Sequence, residues 1–388
     1  MNYYIKIVII YIIRILFHIF SFLPVKKNRI LFSSFEGKNY GCSPKYIFEF
    51  IYENYGDSCE YVWCINNKNK ILENYKIILC DYLSFRHLFY LLTSRVIITN
   101  MVIEPFFIKR KTQLVINTWH GGGAYKKGHE NSPYISNARR IYMDCLRKMR
   151  QGQTDHVISS CRAFSETHFK VLNVPIDKFL SIGMPRNDLF FSSRQRVLKD
   201  VICKRLGIDK HKIVVLYAPT FRGLWRKAQS VTSILNPTIV CNTVKKKFGT
   251  DAILLYRHHI NIAGDNLPLK GIIDVSDYQD MQELLILADI FITDYSSAVW
   301  DFSLTGKPGF LFTPDLSIYK TDTDFDTPIE LWPYPYALTI EDLCANILKY
   351  DEEESSQKIK AHHALLGSFE KGIATSEICK IIKDHMDK

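Results

Sequence analysis

The chain has 388 residues, of which 47% are hydrophobic and 13% aromatic, so it is too apolar for global disorder and long enough for two ordinary domains. Its formal net charge of +10 at pH 7 favours an anionic partner such as a phosphorylated substrate, a membrane surface or a nucleic acid. The chain has no dense Arg/Lys tract with interleaved aromatic residues, and we therefore predict no nucleic-acid partner.

The amino terminus is strongly apolar from Tyr3 to Pro24 and is interrupted by Lys6 and Arg14. No small-residue cleavage site follows, so a secretory signal peptide is not predicted. Arg14 at mid-span disfavours a bilayer-spanning helix, whereas an interfacial helix lets Lys6 and Arg14 reach lipid headgroups. We predict that residues 1–24 form a membrane-interfacial helix, and an ordinary buried helix is the alternative. The basic residues that follow would then meet anionic lipid: Lys26, Lys27 and Arg29.

Residues 25–190 alternate between short apolar runs and amphipathic segments, which predicts a doubly wound α/β domain. The predicted strands are Arg29–Ser33, Tyr61–Ile65, Lys76–Cys80, Val96–Asn100, Leu114–Thr118, His156–Ser159 and Phe179–Ile182. The predicted helices are Pro44–Tyr55, Tyr82–Thr93, Ile135–Lys148 and Arg162–Leu172.

A helical connector over Ser192–Ile208 leads into a second α/β series, so residues 191–388 are predicted to form the second domain. Its strands are Ile213–Ala218, Ala252–Tyr256, Ile272–Asp274, Ile290–Thr293 and Gly309–Phe312. Its helices lie near Ser233–Phe248, Met281–Leu287, Ala298–Leu304, Ile340–Lys349, Glu353–Leu365 and Thr375–Met386. Two such domains are expected to leave a ligand-binding cleft between them.

Polar residues follow the predicted strand Ile290–Thr293, at the edge where doubly wound sheets bind ligands. Ser296 and Ser297 fall at the start of a helix, where free N–H groups favour a phosphate. Simple capping of that helix is the alternative. Asp294 and Asp301 belong to the same predicted site, although capping and orientation of the loop would also explain them.

A second constellation follows the strand Leu114–Thr118. His120 stands at the end of this strand, and a neutral imidazole there can accept a proton as a general base. Gly121 and Gly122 let the backbone approach a ligand closely, and Lys126 lies within reach of an anion. A packed or solvated histidine is the alternative.

Three further turns carry hydroxyl or basic groups after strands. They contribute Thr220 and Arg222, Arg257 and His259, and, at the end of the first domain, Arg186 and Asp188. Each turn by itself is also explained by an ordinary turn with solvated side chains. If the strands of the second domain are neighbours, its groups form one edge suited to a pyrophosphate, with His120 supplied by the first domain.

In the order and spacing of these motifs, the chain resembles the CDP-glycerol glycerophosphotransferase family, which comprises teichoic-acid primases, polymerases and capsule-making relatives. The matching motifs are Trp119-His120-Gly121 with Lys126, Gly183-x-Pro-Arg-Asn-Asp188, Ala218-Pro-Thr-x-Arg222, Arg257-x-His259, Thr293–Ser297 with Asp301 and Pro308, and Asp315 with Tyr319. The resemblance implies two doubly wound domains of glycosyltransferase-B type. It also implies that His120 is the base and that His259, also counted as catalytic, lies with the serines around the donor pyrophosphate.

The predicted function is transfer of glycerol phosphate, or another alditol phosphate, from a CDP-alditol to a lipid-linked glycan, with release of CMP. The chain's length favours a single-linkage transferase over a multidomain polymerase. Glycosyl transfer from a nucleotide-sugar in the same fold, or a non-catalytic membrane scaffold, are the alternatives. CDP-glycerol or CDP-ribitol is then a substrate, and neither a cofactor nor a metal is predicted.

The predicted location is the cytoplasmic side of the cell membrane, with anionic lipid and the lipid-linked acceptor as partners and homo-oligomerisation left open. A reducing compartment agrees with ten scattered cysteines that form no C-x-x-C motif. Gly122 and Gly123 replace the Thr-Pro of many family members, and Ile260 replaces a common proline. These departures remove no donor or base, but they leave the identity of the alditol open.

Overall fold

The computed structural model describes residues 2–66, 70–127, 136–220, 235–258 and 271–388. The chain divides into two compact units. Unit 1 comprises Met1–Gly121, Gly128–Asp188 and Ser368–Lys388, and unit 2 comprises Gly122–Lys127 and Leu189–Gly367.

Unit 1 is built on a parallel sheet that, over the described residues, has the strand order β3-β2-β1-β4-β5-β6-β7. Its strands are β1 (Lys26–Ser33), β2 (Glu60–Cys64), β3 (Ile78–Cys80), β4 (Ser94–Thr99), β5 (Leu114–Asn117), β6 (His156–Ile158) and β7 (Phe179–Leu180). The helices of its first 188 residues are α1 (Tyr3–Ile19), α2 (Cys42–Tyr55), α3 (Phe85–Thr93), α4 (Asn137–Arg150) and α5 (Arg162–Leu172).

Both faces of this sheet are buried, which explains why its strands are nearly continuous apolar runs. Ile30 and Phe32 of β1 pack with Phe48 of α2, whereas Leu31 faces the opposite side with Leu91 of α3. Since β2 and β3 extend the sheet on one side of β1 and β4 begins the other side, the topological switch point lies between β1 and β4. Doubly wound sheets bind ligands at the carboxyl ends of their strands at such a point.

Unit 2 repeats this arrangement with a parallel sheet whose order, among the residues described, is β10-β9-β8-β11-β12-β13. Its strands are β8 (Ile213–Tyr217), β9 (Ala252–Tyr256), β10 (Ile272–Asp274), β11 (Ile290–Thr293), β12 (Gly309–Phe312) and β13 (Tyr336–Ala337). Its helices are α6 (Gln195–Leu206), α7 (Pro237–Phe248), α8 (Met281–Leu287), α9 (Ala298–Ser303), α10 (Leu316–Asp322), α11 (Ile340–Lys349) and α12 (Glu352–Leu366). The switch point lies between β8 and β11.

The last helix, α13 (Ala374–Met386), differs from its predicted assignment. The sequence places it in the second domain with the rest of residues 191–388, but residues 368–388 belong to unit 1. The reason is hydrophobic packing, because Ile378 and Ile382 are buried in the same cluster as Phe48 of α2. In addition, β13 and α10 were not predicted; β13 has only two residues, too few for a periodic pattern.

One side of helix α1 packs against the rest of unit 1, and the other side is exposed. Phe17 is buried, and Ile10 and Ile13 pack beside it. Large apolar side chains cover the remaining surface, among them Tyr4, Ile5, Val8, Ile12, Ile15 and Ile19. The segment Tyr3–Phe22 has a mean hydropathy of 2.2 and is 6% buried, and by length and composition it could also cross a membrane. The alternative of an ordinary buried helix is therefore wrong.

The contacts of Arg14 differ from those predicted. Instead of extending toward headgroups, its Nη1 donates hydrogen bonds to the carbonyl oxygens of Pro105 at 2.7 Å and Phe107 at 3.0 Å. Lys26 and Arg29, predicted to meet anionic lipid, both pair with Glu60. These contacts arise because β1 begins at Lys26 and runs beside β2, whose first residue is Glu60.

Candidate functional site

Strand β5 and its neighbour β4 position His120 in unit 1. His120 Nδ1 lies 3.0 Å from the backbone carbonyl oxygen of Asn100, which follows β4. A carbonyl oxygen only accepts, so Nδ1 carries the proton of the neutral ring and Nε2 carries the lone pair. Trp119 holds a left-handed backbone with φ of 52° just before it, a conformation that is costly for a residue other than glycine.

The environment of His120 keeps its imidazole neutral. Burial lowers its pKa from 6.5 to about 4; the Asn100 carbonyl opposes this shift, and the positive charge of Arg186 adds to it. The aromatic rings of Trp119 and Phe35 lie with their centroids 4.5 and 5.7 Å from that of His120. A neutral ring with a lone pair on Nε2 can accept a proton from a hydroxyl group.

The glycines after His120 belong to different units: Gly121 ends the first segment of unit 1, and Gly122 begins unit 2. A Cβ atom added to Gly122 would lie 2.2 Å from Trp300 Cδ1, so close packing against Trp300 explains this glycine. Lys126 also lies in unit 2, where its Nζ stands 5.5 Å from the ring centroid of Tyr319. The structure thus places Gly122 and Lys126 with unit 2, whereas the sequence assigned them to the first domain.

Arg186 and Asp188 are engaged inside unit 1. Arg186 is only 2% exposed, and its Nη1 lies 3.7 Å from Cys42 Sγ. The Asp188 carboxylate accepts the N–H groups of Ala374 at 3.1 Å and Thr375 at 2.7 Å, at the start of α13. These contacts support structural roles, and substrate binding by either residue stays a prediction.

In unit 2, the strands that precede the predicted donor-side residues are neighbours. The sequence analysis predicted one pyrophosphate-binding edge only if these strands were neighbours. Thr220 follows β8, Arg257 follows β9, and Asp294 follows β11. The backbone N–H and the hydroxyl of Thr220 both donate to Asp294 Oδ1, at 2.8 and 2.9 Å. Asp294 therefore joins the turns after β8 and β11, which agrees with its alternative role of orienting the loop.

Arg257 has the features of an anion-binding residue. Burial lowers its pKa from 12.5 to about 10, with Asp280 and Tyr278 opposing the shift, so the guanidinium remains charged at neutral pH. Its Nη1 is buried and has no hydrogen-bond partner among the residues that the structure describes. A buried cationic N–H group without a partner favours a bound anion at this position.

Ser296 and Ser297 remain partly exposed at the same edge. Ser296 Oγ accepts the N–H of Ala298 at 3.2 Å, as in a helix cap, whereas the Ser297 side chain makes no capping bond. Helix α9 has only six residues, so its dipole is small and phosphate binding would depend on the hydroxyls and local N–H groups. Asp301 is buried and accepts the Gln282 amide at 2.9 Å, which supports an orienting role.

Two predicted donor-side residues, Arg222 and His259, lie outside the described residues. Within the described ranges, no group of three or more His, Cys, Asp and Glu side chains is arranged to hold a metal ion.

Two features of the site were missed in the sequence. Asn100 orients His120, and its position as the last residue of the predicted strand Val96–Asn100 was an available signal. Tyr295 and Tyr319 stack with ring centroids 3.7 Å apart, and the Tyr295 hydroxyl donates to Asp315 at 3.0 Å. Tyr295, Asp315 and Tyr319 all lie in motifs that the resemblance names, but the stack pairs residues 24 positions apart in the sequence and no local pattern reveals that contact.

The chain is similar to proteins of known function over nearly its whole length. It is 27% identical over 379 residues to the teichoic acid poly(glycerol phosphate) polymerase of Bacillus spizizenii, with 95% of each chain covered. It is also 27% identical over 382 residues to the teichoic acid glycerol-phosphate transferase of Staphylococcus aureus, with 94% of this chain and 95% of the relative covered. One of these relatives of similar length is named a polymerase and the other a transferase, so length does not distinguish polymerisation from a single transfer.

Among solved structures, the wall teichoic acid polymerase TagF, in a variant soaked with CDPG, has a TM-score of 0.82 at 26% identity. The alignment covers 97% of this chain and 93% of that one. Residues 15–384 match the family described as CDP-Glycerol:Poly(glycerophosphate) glycerophosphotransferase. The chain belongs to the CDP-glycerol glycerophosphotransferase family, as its motifs predicted.

Proposed function

We propose that this protein transfers glycerol phosphate, or another alditol phosphate, from a CDP-alditol to a lipid-linked glycan acceptor in teichoic-acid synthesis. The observation that carries the proposal is the neutral His120 with its Nε2 lone pair at the carboxyl edge of the unit 1 sheet. Membership of the family and the similar poly(glycerol phosphate) polymerase and glycerol-phosphate transferase support the same reaction.

In the proposed step, His120 Nε2 takes the proton of an acceptor hydroxyl while that oxygen attacks the phosphorus bearing the alditol. A new P–O bond forms, the P–O bond to the bridging oxygen breaks, and CMP leaves with the electron pair of that bond. Arg257, Ser296 and Ser297 of unit 2 hold the pyrophosphate and stabilise the charge that develops on CMP. The proposal assigns Arg222 and His259 to the same donor site.

The reaction as proposed needs no metal, because cationic side chains can neutralise the leaving phosphate in its place. Transfer should therefore continue at an unchanged rate in excess EDTA. A rate that falls in EDTA and returns with Mg²⁺ would contradict this part of the proposal.

We assign the two sheets to the two domains of a glycosyltransferase-B type fold, since both are parallel and share the same pattern of strand order. We also propose that α1 docks on the cytoplasmic face of the cell membrane as an interfacial helix. Its exposed apolar side supports membrane contact, whereas Phe17 and the Arg14 hydrogen bonds tie the carboxyl-terminal half of the helix to the rest of unit 1. A spanning orientation would require those contacts to break.

The deciding experiment incubates the purified protein and a lipid-linked acceptor with CDP-glycerol, CDP-ribitol and common nucleotide-sugars. We expect acceptor-dependent CMP release with a CDP-alditol. Release of UMP or UDP would indicate the glycosyltransferase alternative. Release of no nucleotide from any donor would favour the non-catalytic scaffold and contradict the proposal.

A further inference from the structure

The basic residues within and directly after α1 are largely engaged inside unit 1. Lys26 Nζ lies 2.6 Å from a carboxylate oxygen of Glu60, and Arg29 pairs with the same carboxylate. Arg14 donates hydrogen bonds inward to two backbone carbonyl oxygens. Lys27 remains exposed. One exposed lysine gives only a small attraction to anionic lipid, so a stronger preference for an anionic membrane needs a second source of charge.

Helix α4 packs beside α1 within unit 1. The ring centroid of Tyr142 lies 5.4 Å from that of Tyr3, and Lys6 Nζ lies 5.9 Å from the same Tyr142 ring. Further along both helices, Cys145 Sγ lies 4.0 Å from the hydroxyl oxygen of Tyr11. Because the two helices touch at both places, α4 borders the surface that α1 exposes.

The exposed side of α1 continues onto α4 at the second of these contacts. Tyr11 is 49% exposed, and exposed Val8 lies three positions before it on the same face of α1. On α4, Ile141 and Lys148 lie four positions before and three positions after Cys145, so they share its side of the helix. Ile141 is 49% exposed, and Lys148 is exposed as well. The apolar surface of α1 therefore passes into an apolar and basic surface on α4.

Helix α4 is strongly basic. Five of its 14 residues are Arg or Lys, and Asp144 is its one acidic residue. Arg150 donates to a backbone carbonyl oxygen inside unit 1 at 2.8 Å, and Arg147 pairs with Asp144 at 3.5 Å. Arg140 and Lys148 are exposed. Exposed cations beside apolar side chains are the composition of an interfacial helix that binds an anionic membrane.

We propose that α1 and α4 together form the membrane-contacting surface, and that Arg140 and Lys148 of α4 bind the phosphate groups of anionic phospholipids. In this arrangement α1 supplies apolar contact with any bilayer, and α4 supplies the preference for an anionic one. The role that the sequence assigned to Lys26 and Arg29 thus passes mainly to α4. This inference rests on the proposed docking of α1, and it does not depend on the transfer reaction.

The control for this inference comes from the opposite face of the unit 1 sheet. Helix α13 packs there, because its Ile378 is buried in the same cluster as Ile30 of β1, whereas Phe17 of α1 is buried with Leu31. Lys380 and Lys383 are exposed on α13. Replacing both by glutamine removes the same charge as a double replacement on α4, but far from the proposed membrane surface.

The test measures sedimentation of the full chain with vesicles of phosphatidylcholine alone and with vesicles that also contain anionic phosphatidylglycerol. Arg140→Gln with Lys148→Gln should lower partition into the anionic vesicles by roughly 25-fold, since each basic residue at such a surface contributes about fivefold. Partition into neutral vesicles should stay within twofold of wild type. The control Lys380→Gln with Lys383→Gln should match the wild type with both vesicles, and 1 M NaCl should abolish the difference between the α4 variant and the wild type.

The charge-keeping variant Arg140→Lys with Lys148→Arg should sediment as the wild type does, which separates loss of charge from damage to the helix. Equal partition of the glutamine variant and the wild type into anionic vesicles would overturn the role of α4. So would an equal loss with neutral and anionic vesicles. A wild type that does not sediment with anionic vesicles would overturn both this inference and the docking of α1. CMP release with a soluble acceptor analogue tests the transfer reaction separately.

Discussion

The proposed role of His120 as the base predicts an unusual pH dependence. The rate requires a neutral imidazole, so activity is present above the folded pKa and is lost as the pH falls through it. Burial sets that pKa at about 4. At pH 7 only about one ring in a thousand would be protonated, compared with about a quarter for an ordinary histidine of pKa near 6.5.

The difference is large in an accessible range. Between pH 7 and pH 5, a base with a pKa of about 4 loses about 10% of its neutral form. A histidine with the ordinary value would lose about 25-fold over the same range. We therefore expect kcat/KM for the acceptor to be nearly flat from pH 7 to pH 5. Replacement by alanine should lower the rate by about 10²–10⁴-fold at pH 7, because a positioned base is removed.

The assay follows CMP release at saturating CDP-alditol from pH 5 to pH 8 for the wild type, His120→Ala and the control His211→Ala. His211 is an exposed histidine of unit 2 that should be replaceable without effect. Donor affinity is measured by calorimetry in parallel. A His120→Ala variant with near-normal turnover, or a wild-type half-loss near pH 6.5, would refute the reasoning. Equal loss of donor binding and turnover would move His120 to the donor pyrophosphate and leave the base unidentified.

The other predictions concern the donor site, the membrane surface and a structural carboxylate. Arg257→Ala should raise the KM for CDP-alditol at least tenfold without lowering the melting temperature, while exposed Lys210→Ala should not; equal KM values would argue against the pyrophosphate site. A double variant, Val8→Glu with Ile12→Glu, should no longer sediment with anionic vesicles, whereas Ile318→Glu, at an equally exposed position of α10, should sediment as the wild type does. Undiminished sedimentation of the double variant would show that α1 is not the attachment surface. Asp188→Ala leaves two N–H groups of α13 without their acceptor, and urea unfolding should show a loss of about 1–3 kcal/mol with donor KM unchanged. A changed donor KM with unaltered stability would instead support substrate binding by Asp188.

Much of the fold could be predicted because apolar runs and their turns are local signals. Strand β9 and helix α8 begin and end where the sequence predicted, since each is bounded by polar or turn residues. The carboxyl-terminal helix could not be assigned to unit 1 in this way. Its apolar stripe fits any open sheet face, and only contact with Phe48 and the residues around it decides which one it covers.

The candidate site shows the same division. Placement at a strand end made His120, Thr220 and Arg257 candidates, because parallel sheets gather the carboxyl ends of their strands at one edge. The hydrogen bond from His120 to Asn100 links residues that follow neighbouring strands, and it sets the tautomer on which the proposed base catalysis depends.

What the sequence alone determined was the set of elements, the chemical groups at the strand ends and the family to which they belong. Tertiary structure decided which of those groups are already engaged, as Asp294 is with Thr220 and Asp188 is with α13. It also decided the pKa of His120 and left Arg257 Nη1 buried without a partner among the described residues. The physical reason is that residue type and periodicity are properties of short segments. Desolvation and hydrogen-bond pairing depend on every group that folding brings near, whatever its distance along the chain.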